Sequence, residues 1–161
     1  MGVRKAKKED IEDINKLDRE STKYHKKFDK DFYSISEKWW KMKRESQIKA
    51  IKSSTNLILV VEIDGKVVGY IWGFVETIMK YRICKIQELI ITSKQRGKGI
   101  GTKLIKQMLD FFKDKKCIIS EIEVFVDNIP AIQVYEKAGF KKREYKMQLK
   151  LNKTKRYRPF L

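Results

Sequence analysis

Apolar residues near the start of the chain recur first at the spacing of a strand and then at the spacing of a helix. The segment from Val3 to Ala6 predicts a short strand. Behind it, residues on one helical face follow through about Ser21: Ile11, Ile14, Leu17 and Asp18. The chain therefore begins with a strand and a helix.

A second helix is predicted to begin after Ser36. Serine is a favoured N-cap, because its hydroxyl accepts a hydrogen bond from the first helical turn. Large apolar residues follow at positions that would face the core: Trp39, Trp40, Ile48 and Ile51. The stretch 25–36 between the two helices is aromatic and charged with no clear period, so we expect a loop or a short irregular helix there.

The middle of the chain predicts three strands in an antiparallel meander. Leu57 to Ile63 is rich in β-formers, and the dipeptide Asp64-Gly65 is a strong signal for a tight hairpin turn. The chain is expected to return from Lys66 to about Thr77 and to run out again from Arg82 to Thr92.

Helix and strand patterns alternate in the last third of the chain. Apolar residues mark one face of a helix that is expected to reach about Lys115: Ile100, Leu104, Ile105, Met108, Leu109 and Phe112. A strand from Cys117 to Val126 follows, then a helix with Asn128 as N-cap and Gly139 as its stop. Alternating apolar and basic residues from Phe140 to Leu151 predict a last strand.

The predicted order is β-α-α-β-β-β-α-β-α-β, which is typical of an α/β fold, or an α+β fold in which helices pack on a mixed sheet. At 161 residues the chain is long enough for one domain with one core, and too short for two ordinary domains. We expect a single domain over residues 1–161, with a basic C-terminal tail over 152–161.

Composition excludes disorder and leaves a strongly basic surface. Hydrophobic residues make up 42% of the chain, and the formal net charge is +17. Such a surface attracts polyanions, but the charge is spread along the chain, so a solvated outer face is favoured over a nucleic-acid site. The tail has basic residues interleaved with aromatic ones, and we expect a solvated terminus rather than a polyanion contact: Lys153, Lys155, Arg156, Tyr157, Arg158 and Phe160.

Two cysteines and one histidine are too few for a zinc site, so no metal is expected. Cys84 and Cys117 lie in apolar stretches without metal-ligand spacing, and we expect both to be buried thiols in a reducing cytosol. The N-terminal segment has no apolar signal region, and no apolar run approaches the ~20 residues of a membrane span. These features favour a cytoplasmic protein without membrane contact.

The segment Gln95 to Gly101, QRGKGIG, places three glycines where a strand ends and a helix begins. A Walker loop requires Gly-Lys-Ser/Thr, but Gly99 follows Lys98; a dinucleotide fingerprint requires a third glycine where Thr102 stands. A basic turn at a helix N-terminus still suits an anionic phosphate, because unpaired N–H groups and the helix dipole point toward it. The residues alone leave open a tight turn without a ligand.

Two motifs resemble the GNAT superfamily of N-acetyltransferases. Arg96-x-x-Gly99-x-Gly101 resembles the loop that binds the pyrophosphate of acyl-CoA in that family. The run from Asn128 through Ala131 and Tyr135 to Gly139-Phe140 resembles its second CoA-contacting segment, and the element order is similar across nearly the whole chain. The resemblance implies a GNAT-type fold and acetyl-CoA as cosubstrate, with no metal.

The resemblance also implies where acetyl-CoA binds. The strand Leu89 to Ile91 would splay from Glu123 to Val126, and the pantetheine arm would lie in the opening. Tyr135 would point its hydroxyl at the sulfur; without the motif, a core aromatic is the simpler interpretation. The implied cofactor-binding residues are Leu89, Ile90, Ile91, Arg96, Gly97, Lys98, Gly99, Ile100, Gly101, Thr102, Asn128, Ala131 and Tyr135.

The expected reaction is direct acetyl transfer to a primary amine, with Tyr135 protonating the leaving thiolate. An amine attacks only when it is neutral, so a general base is useful. Glu123 and Glu88 are the candidates, and Glu123 is preferred because its place before Asn128 resembles the base of ribosomal-protein N-terminal acetyltransferases. The alternative for both is an outward-facing glutamate paired with lysine. A backbone N–H in Leu89 to Ile91 would stabilise the oxyanion.

The acceptor is not determined by the sequence: a protein N-terminus, a lysine and a small amine all fit, although the net charge disfavours long polycations. By resemblance it enters beside residues 24–40 and the region after Lys142, where aromatic residues line the entrance or pack the helices: Phe28, Phe32, Tyr33, Trp39 and Trp40. Contact with nucleic acid or a ribonucleoprotein and a homodimer are also open. The alternative function is a non-catalytic module that binds CoA or nucleic acid on the same fold.

Overall fold

A mixed sheet forms the centre of the fold. The computed structural model describes residues 1–29 and 35–149. Within them the sheet has five strands that lie side by side in chain order: β1 (Gly2–Lys5), β2 (Asn56–Ile63), β3 (Lys66–Ile78), β4 (Tyr81–Ile91) and β5 (Ile119–Ile122). Neighbours are antiparallel from β1 to β4, and β5 is parallel to β4. The predicted α/β class and the meander are confirmed.

Helices cover both faces of the sheet. In the described part of the chain they are α1 (Ile11–His25), α2 (Glu37–Lys52), α3 (Ile100–Asp114) and α4 (Ile129–Lys137), with short 3-10 turns at Lys8–Asp10 and Ser93–Gln95. Since side chains alternate along a strand, Ile58 and Val60 of β2 pack with α1 and α2, whereas Leu59 and Val61 pack with α3. Residues of α4 pack on the α3 side. The sheet therefore separates two apolar clusters.

Local sequence signals account for the turns and helix starts. Asp64 and Gly65 have φ values of 50° and 74°, as a tight hairpin between β2 and β3 requires. Ser36 caps α2, because its side chain accepts a hydrogen bond from the Trp39 backbone N–H at 3.3 Å. Both features were predicted from short-range sequence patterns.

The structure differs from the prediction at the C-terminal end. The strand expected from Cys117 to Val126 is limited to Ile119–Ile122, and residues 140–149 contain no strand. Alternating residues become a strand only if a partner accepts their backbone hydrogen bonds and one face is buried. Here Tyr145, Met147 and Leu149 are 80%, 92% and 82% exposed, so alternation alone was insufficient.

A disulfide joins Cys84 in β4 to Cys117, which follows the C-terminal end of α3 in the chain; the two Cα atoms are 6.1 Å apart. The expectation of two thiols is therefore wrong. The pairing of β4 with β5 brings together two residues that are 33 positions apart in sequence, and no local pattern reveals that proximity.

Some expectations lie outside the described residues: the basic tail over 152–161, and Phe32 and Tyr33 at the acceptor entrance. Among the helices of residues 1–29 and 35–149, none is both long and apolar enough to span a bilayer.

Gly73 allows α3 to pack closely on β3, and an alanine there should destabilise the fold. An added Cβ would lie 2.6 Å from Met108 Sδ and 2.7 Å from Phe112 Cζ, well inside van der Waals contact. Gly73→Ala is expected to lower the free energy of unfolding by about 1–3 kcal/mol, measured by urea denaturation.

Gly2→Ala is the matched control, because no heavy atom lies within 4 Å of the Cβ position at Gly2. Its free energy of unfolding should stay within about 0.5 kcal/mol of the wild-type value. Equal stability of Gly73→Ala and the wild type would contradict the close approach of α3 to β3.

Candidate active site

An opening forms where β4 and β5 stop pairing. The parallel ladder runs from Ile83 opposite Ile119 to Ile86 opposite Ile122. Beyond that point β4 continues to Ile91 with β3 as its partner, while residues 123–126 form no strand. The backbone of β4 past Ile86 therefore borders an opening rather than a neighbouring strand.

A β-bulge at Gln87 changes which way β4 presents its side chains. On β3, Trp72 and Gly73 are consecutive, but their partners on β4 are Glu88 and Ile86. Gln87 is the extra residue, and an extra residue shifts the alternation of side chains by one position. Side chains at even-numbered positions before Gln87 therefore point to one face of the sheet, and those at even-numbered positions after it point to the other.

The consequence is visible in the packing of the end of β4. Leu89 and Ile91 pack with the α3 cluster, and Ile90 packs with the α1 and α2 cluster. Glu88, one alternation before Ile90, shares that second face. The bulge thus directs a carboxylate toward α1 and α2 beside the opening.

Glu88 is held in a partly buried ion cluster. Its Oε1 accepts a hydrogen bond from Lys43 Nζ at 2.7 Å, and the side chain is 24% exposed. Burial raises the pKa of Glu88, the charge of Lys43 opposes that rise, and the charge of Asp18 adds to it. The net effect is a pKa above the usual range, which makes Glu88 a stronger proton acceptor than an exposed glutamate.

The cluster continues into the core through Asp18. Lys43 Nζ also donates to Asp18 Oδ1 at 3.0 Å, and Gln47 Nε2 donates to Oδ2 at 2.8 Å. The Tyr70 hydroxyl donates a short hydrogen bond to Oδ1. Burial lowers the pKa of Lys43, but the two carboxylates outweigh it and raise that pKa above its usual range, so Lys43 is an ammonium.

Tyr135 of α4 approaches the opening from the other face of the sheet. Its ring meets the Phe140 ring edge-on, with 6.3 Å between centroids. Burial, and then the charge of Glu88, raises the pKa of Tyr135 to about 12. The hydroxyl is therefore protonated at neutral pH, and it makes no hydrogen bond to residues 1–29 or 35–149. The charge of Glu88 thus acts on the Tyr135 hydroxyl, although Tyr135 packs on the α3 side of the sheet.

The glycine turn leaves backbone amides open at the start of α3. Gly97 and Gly99 have φ values of 76° and 74°, and no heavy atom lies within 4 Å of a Cβ position at either. Gly99 is the N-cap of α3 and supplies no side chain to the first-turn N–H groups of residues 100–102. Those groups and the helix dipole are suited to a phosphate.

The C-terminal half of α1 holds this turn. Glu20 accepts hydrogen bonds from Thr92 Oγ1 at 2.9 Å and from the Ser93 backbone N–H at 2.7 Å. One helical turn later, the Tyr24 ring lies 4.6 Å from the Arg96 guanidinium carbon. Arg96 Nε in turn donates to the Ile91 carbonyl at 3.0 Å. The turn is therefore fixed to both α1 and β4.

Asn128 occupies the predicted N-cap position of α4, but its side chain does not cap the helix. Its backbone carbonyl accepts hydrogen bonds from the backbone N–H groups of Ala131 and Ile132. The buried side chain instead accepts a 3.4 Å hydrogen bond from the Tyr24 hydroxyl. Asn128 therefore links the start of α4 to α1.

The two candidate bases lie in different environments. Glu88 is partly buried and ion-paired, whereas Glu123 is exposed, on the segment that follows β5. The charge of Glu123 acts on Lys85, whose pKa is raised mainly by the hydrogen bond that its ammonium donates to Glu76. The structure brings together Glu88 and Tyr135, and does not add Glu123 to that pair.

The aromatic residues expected at the acceptor entrance occupy two different places in the described part of the chain. Phe28 stacks on Phe125, with 5.6 Å between ring centroids, and Tyr24 meets Phe28 edge-on. Trp40 is 7% exposed and belongs to the core, and Trp39 contacts its edge. The structure shows Phe28 in a ring cluster with Tyr24 and Phe125, a residue that no sequence pattern singled out.

Sequence reasoning also missed Lys43 and Glu20. Charged residues are common on helices, and nothing local separates these two from the solvated ones. Asp18 could be distinguished from the sequence, because a charged residue at a position on the apolar face of α1 indicates a buried carboxylate. In the described residues, no group of three or more His, Cys, Asp or Glu side chains is placed to hold a metal ion.

Comparison with known proteins shows the family of this chain. A family model described as the acetyltransferase (GNAT) family matches residues 10–140. An uncharacterised N-acetyltransferase of Methanocaldococcus jannaschii is 30% identical over 151 residues, which covers 88% of this chain but only 61% of that protein. An N-alpha-acetyltransferase of Sulfurisphaera tokodaii is 32% identical over 103 residues, 58% of this chain and 62% of that protein.

Two further similarities extend the comparison. An L-amino acid N-acetyltransferase of Escherichia coli is 34% identical over 84 residues, 51% of each chain. The solved structure of a mutant BH1408 protein from Bacillus halodurans has the same fold, with a TM-score of 0.84 and 21% identity over 94% of this chain and 100% of that one. With a family model spanning most of its length, this chain belongs to the acetyltransferase (GNAT) family.

Proposed function

We propose that the chain transfers the acetyl group of acetyl-CoA directly to a primary amine: a protein N-terminus, a lysine or a small amine. The observation that carries the proposal is the position of Glu88 and Tyr135 around the opening beside β4, one on each face of the sheet. Relatives named as an N-alpha-acetyltransferase and an L-amino acid N-acetyltransferase support an amine as the acceptor.

The binding half of the site is the turn before α3. The open backbone at Gly97 and Gly99 and the first-turn N–H groups of α3 suit the pyrophosphate of acetyl-CoA. Residues 89–91 would pair their backbone groups with the pantetheine amides, because no strand of residues 1–29 or 35–149 occupies that side of β4. Bound there, acetyl-CoA supplies the thioester whose acetyl group is transferred.

Glu88 is our preferred base, in place of Glu123. A base must face the reacting atoms and bind a proton near neutral pH. Glu88 borders the opening and has a raised pKa, whereas Glu123 is exposed. As the amine nitrogen bonds to the acetyl carbon, Glu88 takes the proton that the nitrogen loses, and a backbone N–H in residues 89–91 stabilises the carbonyl oxygen.

Tyr135 then gives its hydroxyl proton to the thiolate released when the carbon–sulfur bond breaks. With a pKa of about 12, Tyr135 is a weak acid toward a thiol of ordinary pKa, about 8.5. Part of that pKa comes from the charge of Glu88, which disappears once Glu88 holds the amine proton. Tyr135 therefore becomes a better donor at the step where a donor is needed, and proton return from Glu88 restores both groups.

Release of free thiol from acetyl-CoA with a panel of amines and peptides tests the proposed function. We expect thiol release that depends on an amine. Binding of acetyl-CoA without release for any acceptor would instead identify a non-catalytic CoA-binding module, the alternative that the sequence left open.

Gly101→Glu should abolish tight binding of acetyl-CoA while leaving the fold intact. A Cβ at Gly101 meets Val134 and Leu89 at ordinary distances of 3.6 and 3.8 Å, and a carboxylate in the first turn is compatible with the helix dipole. The same charge repels a phosphate, so the affinity should fall by at least about tenfold, which corresponds to about 1.4 kcal/mol. Calorimetry measures it, and Gly2→Glu is the control with the same charge on β1. Unchanged affinity in folded Gly101→Glu would exclude this site.

Replacing the base should remove the acid limb of the pH–rate profile. Activity of the wild type should fall as pH drops through the raised pKa of Glu88, because the protonated carboxyl accepts no proton. Glu88→Gln should lower kcat by about 10²–10⁴-fold at pH values where the amine is protonated, and less as pH approaches the pKa of the amine. Glu123→Gln, at the exposed site, should retain the wild-type profile. If Glu88→Gln retains it too, water carries the proton and the assignment fails.

Tyr135→Phe keeps the ring and deletes the proton donor. Acetyl-CoA affinity and thermal stability should change little, and single-turnover acetyl transfer should slow by about 10²–10⁴-fold. Single-turnover measurement is needed because slow product release would hide the loss. An unchanged rate would return Tyr135 to the role of a core aromatic, and a collapse in stability would show a structural hydroxyl instead.

A further inference from the structure

Lys43 lies between two carboxylates in the interior of the protein. Its side chain is 8% exposed, with Nζ 3.0 Å from Asp18 and 2.7 Å from Glu88. Burying charges is costly, and a buried ion pair is often no more stable than apolar residues of the same volume. The cluster is therefore poorly explained as a device for stability alone.

The geometry of Lys43 is itself fixed by its own helix and by its neighbours. Trp39, Lys43 and Gln47 follow at four-residue intervals along one face of α2. The ammonium lies 5.3 Å from the Trp39 ring centroid, and Gln47 holds the Asp18 carboxylate from the same face. Tyr70 of β3 donates to Asp18 from the sheet. Lys43 thus has little freedom to leave Glu88.

One carboxylate oxygen of Glu88 is engaged and the other is available. Lys43 donates to Oε1, and no residue in 1–29 or 35–149 donates to Oε2. Without a cation, burial and the charge of Asp18 would both favour the neutral carboxyl of Glu88. A neutral carboxyl has lost the capacity to accept a proton, so the ammonium bears directly on the use of Glu88 as a base.

We propose that Lys43 is a positioning residue for the base, which keeps Glu88 ionised and holds Oε1 so that Oε2 faces the acceptor amine. The inference rests on the proposed function and adds a residue to it. Asp18 acts one step further back, because it accepts a hydrogen bond from the ammonium, and Gln47 and Tyr70 in turn hold the Asp18 carboxylate. Lys43 itself touches no substrate in this account.

Among residues 1–29 and 35–149, charged or titratable groups from four elements interact electrostatically with Glu88. Asp18 faces it from α1, Lys43 from α2, Tyr70 from β3 and Tyr135 from α4. Burial raises the pKa of Tyr70 well above its ordinary value, so it stays neutral, and Tyr135 is neutral below about pH 12. Lys43 and Asp18 are therefore the charges that set the protonation of Glu88 at neutral pH.

The test compares variants that remove or retain the cation. Lys43→Met alone would leave Asp18 buried without its counter-ion, so the informative variant is the double substitution Asp18→Asn with Lys43→Met. The asparagine oxygen still accepts from Tyr70, and the buried net charge of the pair stays zero. Lys43→Arg is the conservative control. Thermal unfolding and acetyl-CoA affinity should show a folded protein with an intact cofactor site for both variants.

The double variant should lose activity in a pH-dependent manner. Because Lys43 lowers the pKa of Glu88 more than Asp18 raises it, the acid limb of kcat should move to higher pH. At pH 7 kcat should fall by at least about tenfold, with recovery as pH rises. Lys43→Arg should retain the wild-type position of the acid limb. An unmoved acid limb, or an equal loss at every pH, would overturn the proposal.

A second measurement does not depend on catalysis. Infrared titration follows the carboxyl band of Glu88, identified by its disappearance in Glu88→Gln made in each background. The band should indicate protonation at higher pH in the double variant than in the wild type, and equal titration would overturn the proposal. The two proposals can be contradicted independently. A wild-type pH–rate profile in Glu88→Gln would contradict Glu88 as the base. The infrared titration tests the effect of Lys43 on Glu88 whether or not Glu88 is the base.

Discussion

One extra residue in β4 determines what the surrounding elements contribute to the site. Without the bulge at Gln87, strand alternation would turn Glu88 toward α3, where the apolar cluster offers no cation. With the bulge, Leu89 completes that apolar cluster while Glu88 reaches Lys43 on the opposite face. The ladder to β5 ends at the residue before Gln87. The bulge and the opening are thus adjacent features of one strand.

The ion cluster also contrasts with the charge of the whole chain. The formal net charge is +17, yet Asp18 and Glu88 outnumber Lys43 in the cluster. Long-range repulsion disfavours an extended polycation, while the local excess of carboxylate attracts a single ammonium group at short range. We infer that an acceptor with one amine near the site is better suited than a polyamine. Through Glu20 and Tyr24, α1 contacts the glycine turn, and through Asp18 the same helix contacts the ion cluster.

The sequence could predict what short-range patterns determine. The helices, the Asp64-Gly65 hairpin, the Ser36 cap and the turn at Gly99 each depend on neighbours within a few residues, and the structure has them all. The bulge at Gln87, the Lys43 contacts and the Cys84–Cys117 disulfide depend on residues far apart in sequence. The strand expected at 140–149 failed for the same reason, since its alternation says nothing about a partner. The preference for Glu123 rested on resemblance, and burial, which favours Glu88, is invisible in a sequence.

A crystal structure of the protein with CoA tests the central claim most directly, because the claim is about what lies in the opening beside β4. The account predicts the pyrophosphate on the first-turn N–H groups of α3. It predicts the sulfur between β4 and residues 123–126, with the Tyr135 hydroxyl on one side and Glu88 on the other. A pyrophosphate bound away from Gly99, or a sulfur outside that opening, would contradict the account.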